Sequence, residues 1–232
     1  MTLDLEAIYE DYEAIGELSD ELKRWSLKQP EAQVIHDIIK GLKPKKIVAV
    51  GLFKGVSTLV MLQALEGQDY EYILGIDPFF KGQFNIVLPW EDIEVQKDQE
   101  NYYDVYKKVT SKYGDKVKTV RGFATVAGNE SSNLDDKEEV LGNREDWFKL
   151  REVEEGVDLI FLDGDHTYPT CLEDFKVAWD KIRVGGVVLL HDVYSWVDEI
   201  DKALPYIRAL PNAELELIGE KLEDGIGVVT KI

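Results

Sequence analysis

Apolar residues along this chain change their spacing near residue 45. Before it they recur at helical intervals. Leu5, Ile8, Tyr9, Tyr12, Ile15 and Leu18 share one face of an acidic amphipathic helix read over residues 3–28, and a second helix starts at Pro30 and runs to about Gly41. After it, short continuous apolar runs alternate with helical stretches. Ile47–Val50, Tyr72–Ile76, Val117–Val120, Val157–Leu162 and Val187–Leu190 read as buried strands. Helices are expected at about 56–66, 94–113, 170–182 and 196–209. Two last strands, near 213–218 and 226–231, have only a turn containing Glu223, Asp224 and Gly225 between them, so they pair as an antiparallel hairpin.

Continuous apolar strands alternating with helices demand a parallel sheet covered on both faces. The predicted fold is α/β: a doubly wound, seven-stranded, mostly parallel sheet with one reversed strand and an N-terminal helical extension. Residues 1–44 form that extension and 45–232 a single domain, with a polar insertion at about 125–155 carrying a short helix near Trp147. The extension has no partner strand. It reads equally as packing, as a lid over substrate, or as a contact between copies of the chain in a homo-oligomer.

Composition narrows the function classes. The 232 residues suffice for one sizeable core, and 44% hydrophobic with 31% charged residues is a globular composition. The net charge of −19 opposes nucleic acid and anionic membranes as partners, and Lys43-Pro44-Lys45-Lys46 is too short a basic run to overcome it. No apolar run is long enough to span a bilayer, and the first residues lack the character of a signal peptide, so a cytoplasmic location and a small-molecule partner are expected. The single cysteine, Cys171, excludes an intrachain disulfide and reads as a packed helix residue rather than a nucleophile.

In doubly wound sheets the ligand lies beyond the carboxyl ends of the strands, so the residues ending each strand carry the candidate chemistry. The first strand runs into Gly51-Leu52-Phe53-Lys54-Gly55-Val56-Ser57, the second into Asp77, the third into Gly122-Phe123, the fourth into Asp163-Gly164-Asp165-His166, and the fifth into His191-Asp192. Two of the three histidines thus gather with four carboxylates at one rim; the third, His36, reads as structural. Gly51 permits a sharp turn and Gly55 a close helix start, but the spacing is that of neither a dinucleotide fingerprint nor a phosphate loop, which argues against a nicotinamide dehydrogenase. Asp77 suits a ribose diol, and the glycine turn upstream favours that role over a capping or turn role before Pro78. Asp163, His191 and Asp192 could hold a divalent ion, and His166, three residues beyond Asp163, could take a proton from a substrate hydroxyl. Simple capping and backbone hydrogen bonding would be the plain role of any one of them, but the group together favours chemistry.

These residues resemble a family. Val157 through Tyr168, Asp174, Gly185-Gly186 and Leu190-His191-Asp192 look like the class I S-adenosylmethionine-dependent methyltransferases allied to macrolide- and sugar-modifying O-methyltransferases and cephalosporin-type hydroxylation proteins. Val50–Thr58 and Gly75–Phe79 are similar to that family's two cofactor motifs, and the resemblance covers about residues 45–195. It implies a Rossmann-like methyltransferase acting on a hydroxylated small molecule. Gly51, Gly55 and Ser57 would lie along the methionine part of the cofactor, Asp77 on the ribose and Phe123 near the adenine. Asp163, His191 and Asp192 would ligate Mg²⁺ or Mn²⁺, with His191 where relatives often carry an acid. His166 would be the general base, with Asp165 as runner-up. Two departures stand out: Ala49 replaces an acid that usually anchors the cofactor, and Val193 replaces the amide ligand of catechol-type relatives. Two other functions remain open: a non-catalytic cofactor- or metabolite-binding protein, and a component of a hydroxylation system. The acceptor is expected beneath residues 78–95 and the insertion, which carry Phe79, Phe80, Phe84, Trp90 and Trp147.

Overall fold

The computed structural model describes residues 2–79, 83–87, 94–98, 100–125, 148–194, 199–219 and 224–232. Seven strands form one sheet. They are β1 (Lys46–Val50), β2 (Tyr72–Asp77), β5 (Val117–Arg121), β6 (Val157–Leu162), β7 (Ile182–Leu190), β8 (Ala213–Ile218) and β9 (Ile226–Lys231). Their spatial order is β5-β2-β1-β6-β7-β9-β8, and only β9 runs against the rest. The doubly wound sheet with one reversed strand is as expected.

Alternation along the central strands explains why both faces are covered. Ile47 and Ala49 of β1, Leu159 and Phe161 of β6, and Val187 and Leu189 of β7 enter one core. Their neighbours Val48, Val50, Ile160, Leu162, Val188 and Leu190 enter the other. The first core is roofed by α4 (Val56–Ala64) and α5 (Glu100–Thr110), the second by α6 (Tyr168–Lys181) and α7 (Leu204–Arg208).

The N-terminal segment is an outer layer on the first core. It comprises α1 (Leu5–Ala14), α2 (Asp20–Trp25) and α3 (Gln29–Leu42). The single helix expected over 3–28 is divided at Gly16, whose φ of 75° lies in the left-handed region, and Ser19 restarts it by accepting a hydrogen bond from the Leu22 N–H. Leu5, Ile8 and Tyr12 point inward from α1, and Ala32, Ile35 and Ile39 from α3. Helix α3 packs on α4, which explains an oddity of α4: of its nine residues only Gln63 is not buried. A helix apolar all round needs cover on both sides. Gln63 itself is tied to Asp4 by two hydrogen bonds, of 2.7 and 3.1 Å.

One expected helix starts late. Residues 94–98 are strand β4, paired antiparallel with β3 (Gln83–Val87), and α5 follows only from Glu100. The polar–apolar alternation Gln83-Phe84-Asn85-Ile86 carries the two-residue period of a strand. Most of the expected insertion, including Trp147, lies outside the described residues, as do Phe80 and Trp90.

At the end of the sheet opposite the strand carboxyl ends, Asp158 of β6 ties three strands together. Its carboxylate accepts from the Lys45 and Lys46 N–H groups at 2.8 and 2.9 Å and from Arg183 Nε at 2.5 Å. Burial works against its charge, but Arg183 and the two amides outweigh this and hold its carboxyl below the usual range. That stabilisation is present above the unfolded value near 4 and is lost as pH falls through the lower folded value. Asp158→Asn keeps the size but cannot accept from all three donors. Denaturant unfolding at pH 7 should show a loss of about 1–3 kcal/mol, and the gap from wild type should close as pH drops below about 4.

Candidate functional site

Strand pairing itself assembles the rim. Leu162 of β6 and Leu190 of β7 are in register, so Asp163 and His191 leave adjacent parallel strands at the same level. The ladder continues past the strand ends, with the Asp163 N–H on the Val50 carbonyl at 3.0 Å and the His191 N–H on the Leu162 carbonyl at 3.1 Å. Asp192 then turns with φ 58°, in the left-handed region that aspartate enters more readily than most non-glycine residues.

Four of the expected residues converge here. His191 Nδ1 lies 2.9 Å from Asp163 Oδ1 and 3.1 Å from Asp192 Oδ2. His166 lies across the same two carboxylates, Nδ1 3.1 Å from Asp192 Oδ2 and Nε2 3.4 Å from Asp163 Oδ1. The side chains of Asp163 and His166 are about a quarter exposed, those of His191 and Asp192 only 10%. Burial opposes ionisation of Asp163, yet His191 and His166 pull its carboxyl down to about 2. Burial likewise opposes a charged His191, but Asp163, Asp192 and Glu31 hold it protonated well above the usual imidazole range. Carboxylates thus crowd round His191, which acts as their counter-cation.

The spacing suits a metal ion. One donor atom each from Asp163, His191 and Asp192 lie within 4.8 Å of one another. Donors about 2.1 Å from a six-coordinate cation stand roughly 3 Å apart along an octahedral edge, close to the 2.9 and 3.1 Å seen here. Two carboxylates and an imidazole favour Mn²⁺ or another transition ion over Mg²⁺.

The glycine turn abuts this cluster. At Gly51, φ is 77° and a Cβ would sit 1.8 Å from the Asp163 carbonyl oxygen, so only glycine lets β1 end against β6. Gly55, φ 104°, begins α4 with the Tyr106 ring 2.9 Å from where its Cβ would be; Ser57 is buried in the first turn. Asp77 is placed across the same loop. Its Oδ2 accepts from the Leu52 and Phe53 N–H groups at 2.7 and 3.2 Å, and its Oδ1 from the Phe79 N–H at 2.7 Å. About one of the four lone pairs of the carboxylate is left for a further donor. Ala49 is fully buried, paired with Gly75 and Phe161. Phe123 is buried at the end of β5 and bridges to Phe148.

Other expected residues stand apart. Asp165 Oδ1 accepts from the Thr167 N–H at 2.9 Å in an Asx turn ahead of α6, and neither of its oxygens joins the cluster among the described contacts. Phe79, expected at the acceptor, is buried against Tyr103 and Tyr106. Cys171 is buried and its thiol is pushed up to about 12 by burial and then by nearby carboxylates, which leaves it inert. His36 is buried beside Asp37.

Sequence reasoning missed two groups, one in the N-terminal layer and one gripped by it. Glu31, on α3, is 5% exposed and its Oε2 lies 3.4 Å from His191 Nε2. Lys54, inside the glycine turn, is buried: Nζ meets Glu21 Oε2 of α2 at 3.0 Å, and its carbonyl accepts from Tyr12 Oη of α1 at 2.9 Å. No spacing along the chain announces these partners; a Pro-Glu pair opening a helix signals only a cap.

Comparison with known proteins gives this arrangement a family context. Residues 48–193 match the family described as Methyltransferase domain. Among solved structures, the chain is similar to the SAH-bound methyltransferase PaMTH1 of Podospora anserina, with 17% identity, TM-score 0.64, 97% of this chain and 88% of that one covered. It is also similar to an O-methyltransferase from Bacillus cereus in complex with SAH, with 16% identity, TM-score 0.63 and 100% and 93% covered. The O-methyltransferase TomG of Streptomyces achromogenes, involved in tomaymycin synthesis and bound to SAM, has 14% identity, TM-score 0.57 and 98% and 88% covered. A 56-residue segment is 32% identical to an uncharacterized protein of Acanthamoeba polyphaga mimivirus; it spans 23% of this chain and 25% of that protein.

Two substitutions test the local physics. Gly51→Ala meets the Asp163 backbone and a left-handed φ at once, so its melting temperature should fall by at least about 5 °C. Asp174, whose carboxylate accepts from Thr125 Oγ1, is raised to about 7 by burial first and the nearby carboxylates Asp165 and Glu173 second. A raised acid penalises the folded state increasingly from pH 4 to pH 7. Asp174→Asn should therefore match wild type near pH 4 and exceed its stability by roughly 1–3 kcal/mol above pH 7.

Proposed function

This chain belongs to the methyltransferase-domain family and is a S-adenosylmethionine-dependent methyltransferase of Rossmann-like fold, and we propose that it methylates a hydroxyl of a small molecule with the help of a divalent metal ion. The observation that carries the proposal is the convergence of Asp163, His166, His191 and Asp192 at the carboxyl ends of β6 and β7, beside the glycine turn of β1. The O-methyltransferase neighbours of the same fold support the acceptor class. Kinship with macrolide- and sugar-modifying enzymes in particular rests on the Asp163–His166 segment with Leu190-His191-Asp192.

In this reading the loop from Gly51 to Ser57 receives the methionine portion of the cofactor, Asp77 the ribose and Phe123 the adenine. Asp163, His191 and Asp192 hold the ion. When bound, that ion supplies Lewis-acid polarisation of the acceptor hydroxyl. His166 would take the hydroxyl proton, and the cofactor, when bound, would supply the methyl group to that oxygen with its sulfur as leaving group. Both ring nitrogens of His166 face aspartates, so the base role requires those carboxylates to be engaged elsewhere. Positioning and fixed charges supply most of the rate.

A non-catalytic binding protein of the same fold is the second reading. It is favoured by one observation: Ala49, fully buried, leaves no acid to anchor the cofactor from β1.

Calorimetry with S-adenosylhomocysteine, with and without Mn²⁺ or Mg²⁺, tests both. Binding is expected, along with turnover on a panel of catechol and sugar hydroxyls that drops roughly 10²–10⁴-fold in His166→Ala. Absence of S-adenosylhomocysteine binding under every condition sinks the enzyme reading. Binding without turnover on any acceptor favours the second.

A further inference from the structure

We infer that Glu31, from the N-terminal helix α3, is a positioning residue for the metal site: its carboxylate fixes the ring of His191 so that Nδ1 is presented to the ion. The inference rests on the metal-assisted reading above and adds a residue outside the matched segment 48–193.

The geometry is that of a relay. His191 Nδ1 faces Asp163 and Asp192, and Nε2, at the opposite side of the ring, faces Glu31 Oε2 at 3.4 Å. His191 is 8% exposed, and Nε2 is buried with no partner at good hydrogen-bonding geometry, so the carboxylate it faces is its only recourse among the described residues. Metal-ligating histidines characteristically donate their second ring N–H to a carboxylate, which sets the tautomer and raises ligand basicity.

Glu31 is itself held firmly. Oε1 accepts from the Gly225 N–H at 2.9 Å and Oε2 from the Lys28 N–H at 3.2 Å. One carboxylate thereby joins the start of α3, the β8–β9 turn and the imidazole. The arrangement also explains how a neutral ligand can stand at position 191: the negative charge missing from the ligand is supplied one residue behind it. An amide in place of Glu31 could still accept from one backbone N–H, but its NH₂ would face an N–H donor or force His191 into the tautomer whose Nδ1 cannot bind a cation.

The test is Mn²⁺ affinity by electron paramagnetic resonance on the full chain. Glu31→Gln should weaken Mn²⁺ binding roughly 10–100-fold. In a His191→Glu background, where the ligand is a carboxylate and faces Glu31 with like charge, the same change should leave affinity unchanged or raise it. A purely structural Glu31 would lower affinity equally in both backgrounds, and that result overturns the proposal. Nitrogen NMR of wild-type protein loaded with Zn²⁺ needs no variant: Nδ1 coordination with a protonated Nε2 is expected, and Nε2 coordination overturns it. Unchanged affinity in Glu31→Gln alongside tight wild-type binding removes the Glu31 role alone. Failure of the wild type to bind Mn²⁺ removes the metal reading and this inference with it.

Discussion

The contact on which the site depends is the one between Gly51 and the backbone of Asp163. A side chain at Gly51 would occupy the position of the Asp163 carbonyl oxygen. Its absence lets the ends of β1 and β6 close together at the point where the strand order reverses. Everything with chemical potential is then placed by the ladder: the glycine turn on one side, Asp163 in the middle, His191 and Asp192 on the other. Register, not side-chain choice, brings these groups to one level.

Charge is the second organising feature. Acidic residues exceed basic ones by 19 overall, and a few of them, Glu31, Asp174 and Asp192, sit buried where they are hardest to solvate. Asp163, Asp192 and Glu31 surround His191, and Asp224, its carboxyl raised by burial and then by Asp192 and Glu31, lies nearby. Buried carboxylates without counter-charge are expensive. Here the His191 imidazole fills that need, and the same electrostatics would favour a cation.

The N-terminal helices are more than an appendage. They cover α4, whose apolar sides would otherwise face water, and they reach the rim at two points. Tyr12 and Glu21 grip Lys54 inside the glycine turn, and Glu31 stands behind His191. Any change in the seating of these helices is therefore felt at both the glycine turn and the aspartate–histidine cluster.

The sequence by itself determined the sheet. Buried parallel strands read as continuous apolar runs, β6 over Val157–Leu162 and the closing pair over 213–218 and 226–231 match their expected limits, and the absence of a helix between the last two forces the reversed strand. It also brought the candidate residues to one rim, because a strand's end is local information and the rim follows from topology. It did not reveal the break at Gly16 or the β3–β4 hairpin, where short signals compete with a helical pattern over the same residues. Nor could it show that Asp77 spends two hydrogen bonds on the glycine turn and a third on Phe79, that Asp165 turns back on Thr167 while His166 joins the cluster, or that Glu31 meets His191 from 160 positions away. Those are contacts between elements with no common period. Only the packing of one layer on another decides them.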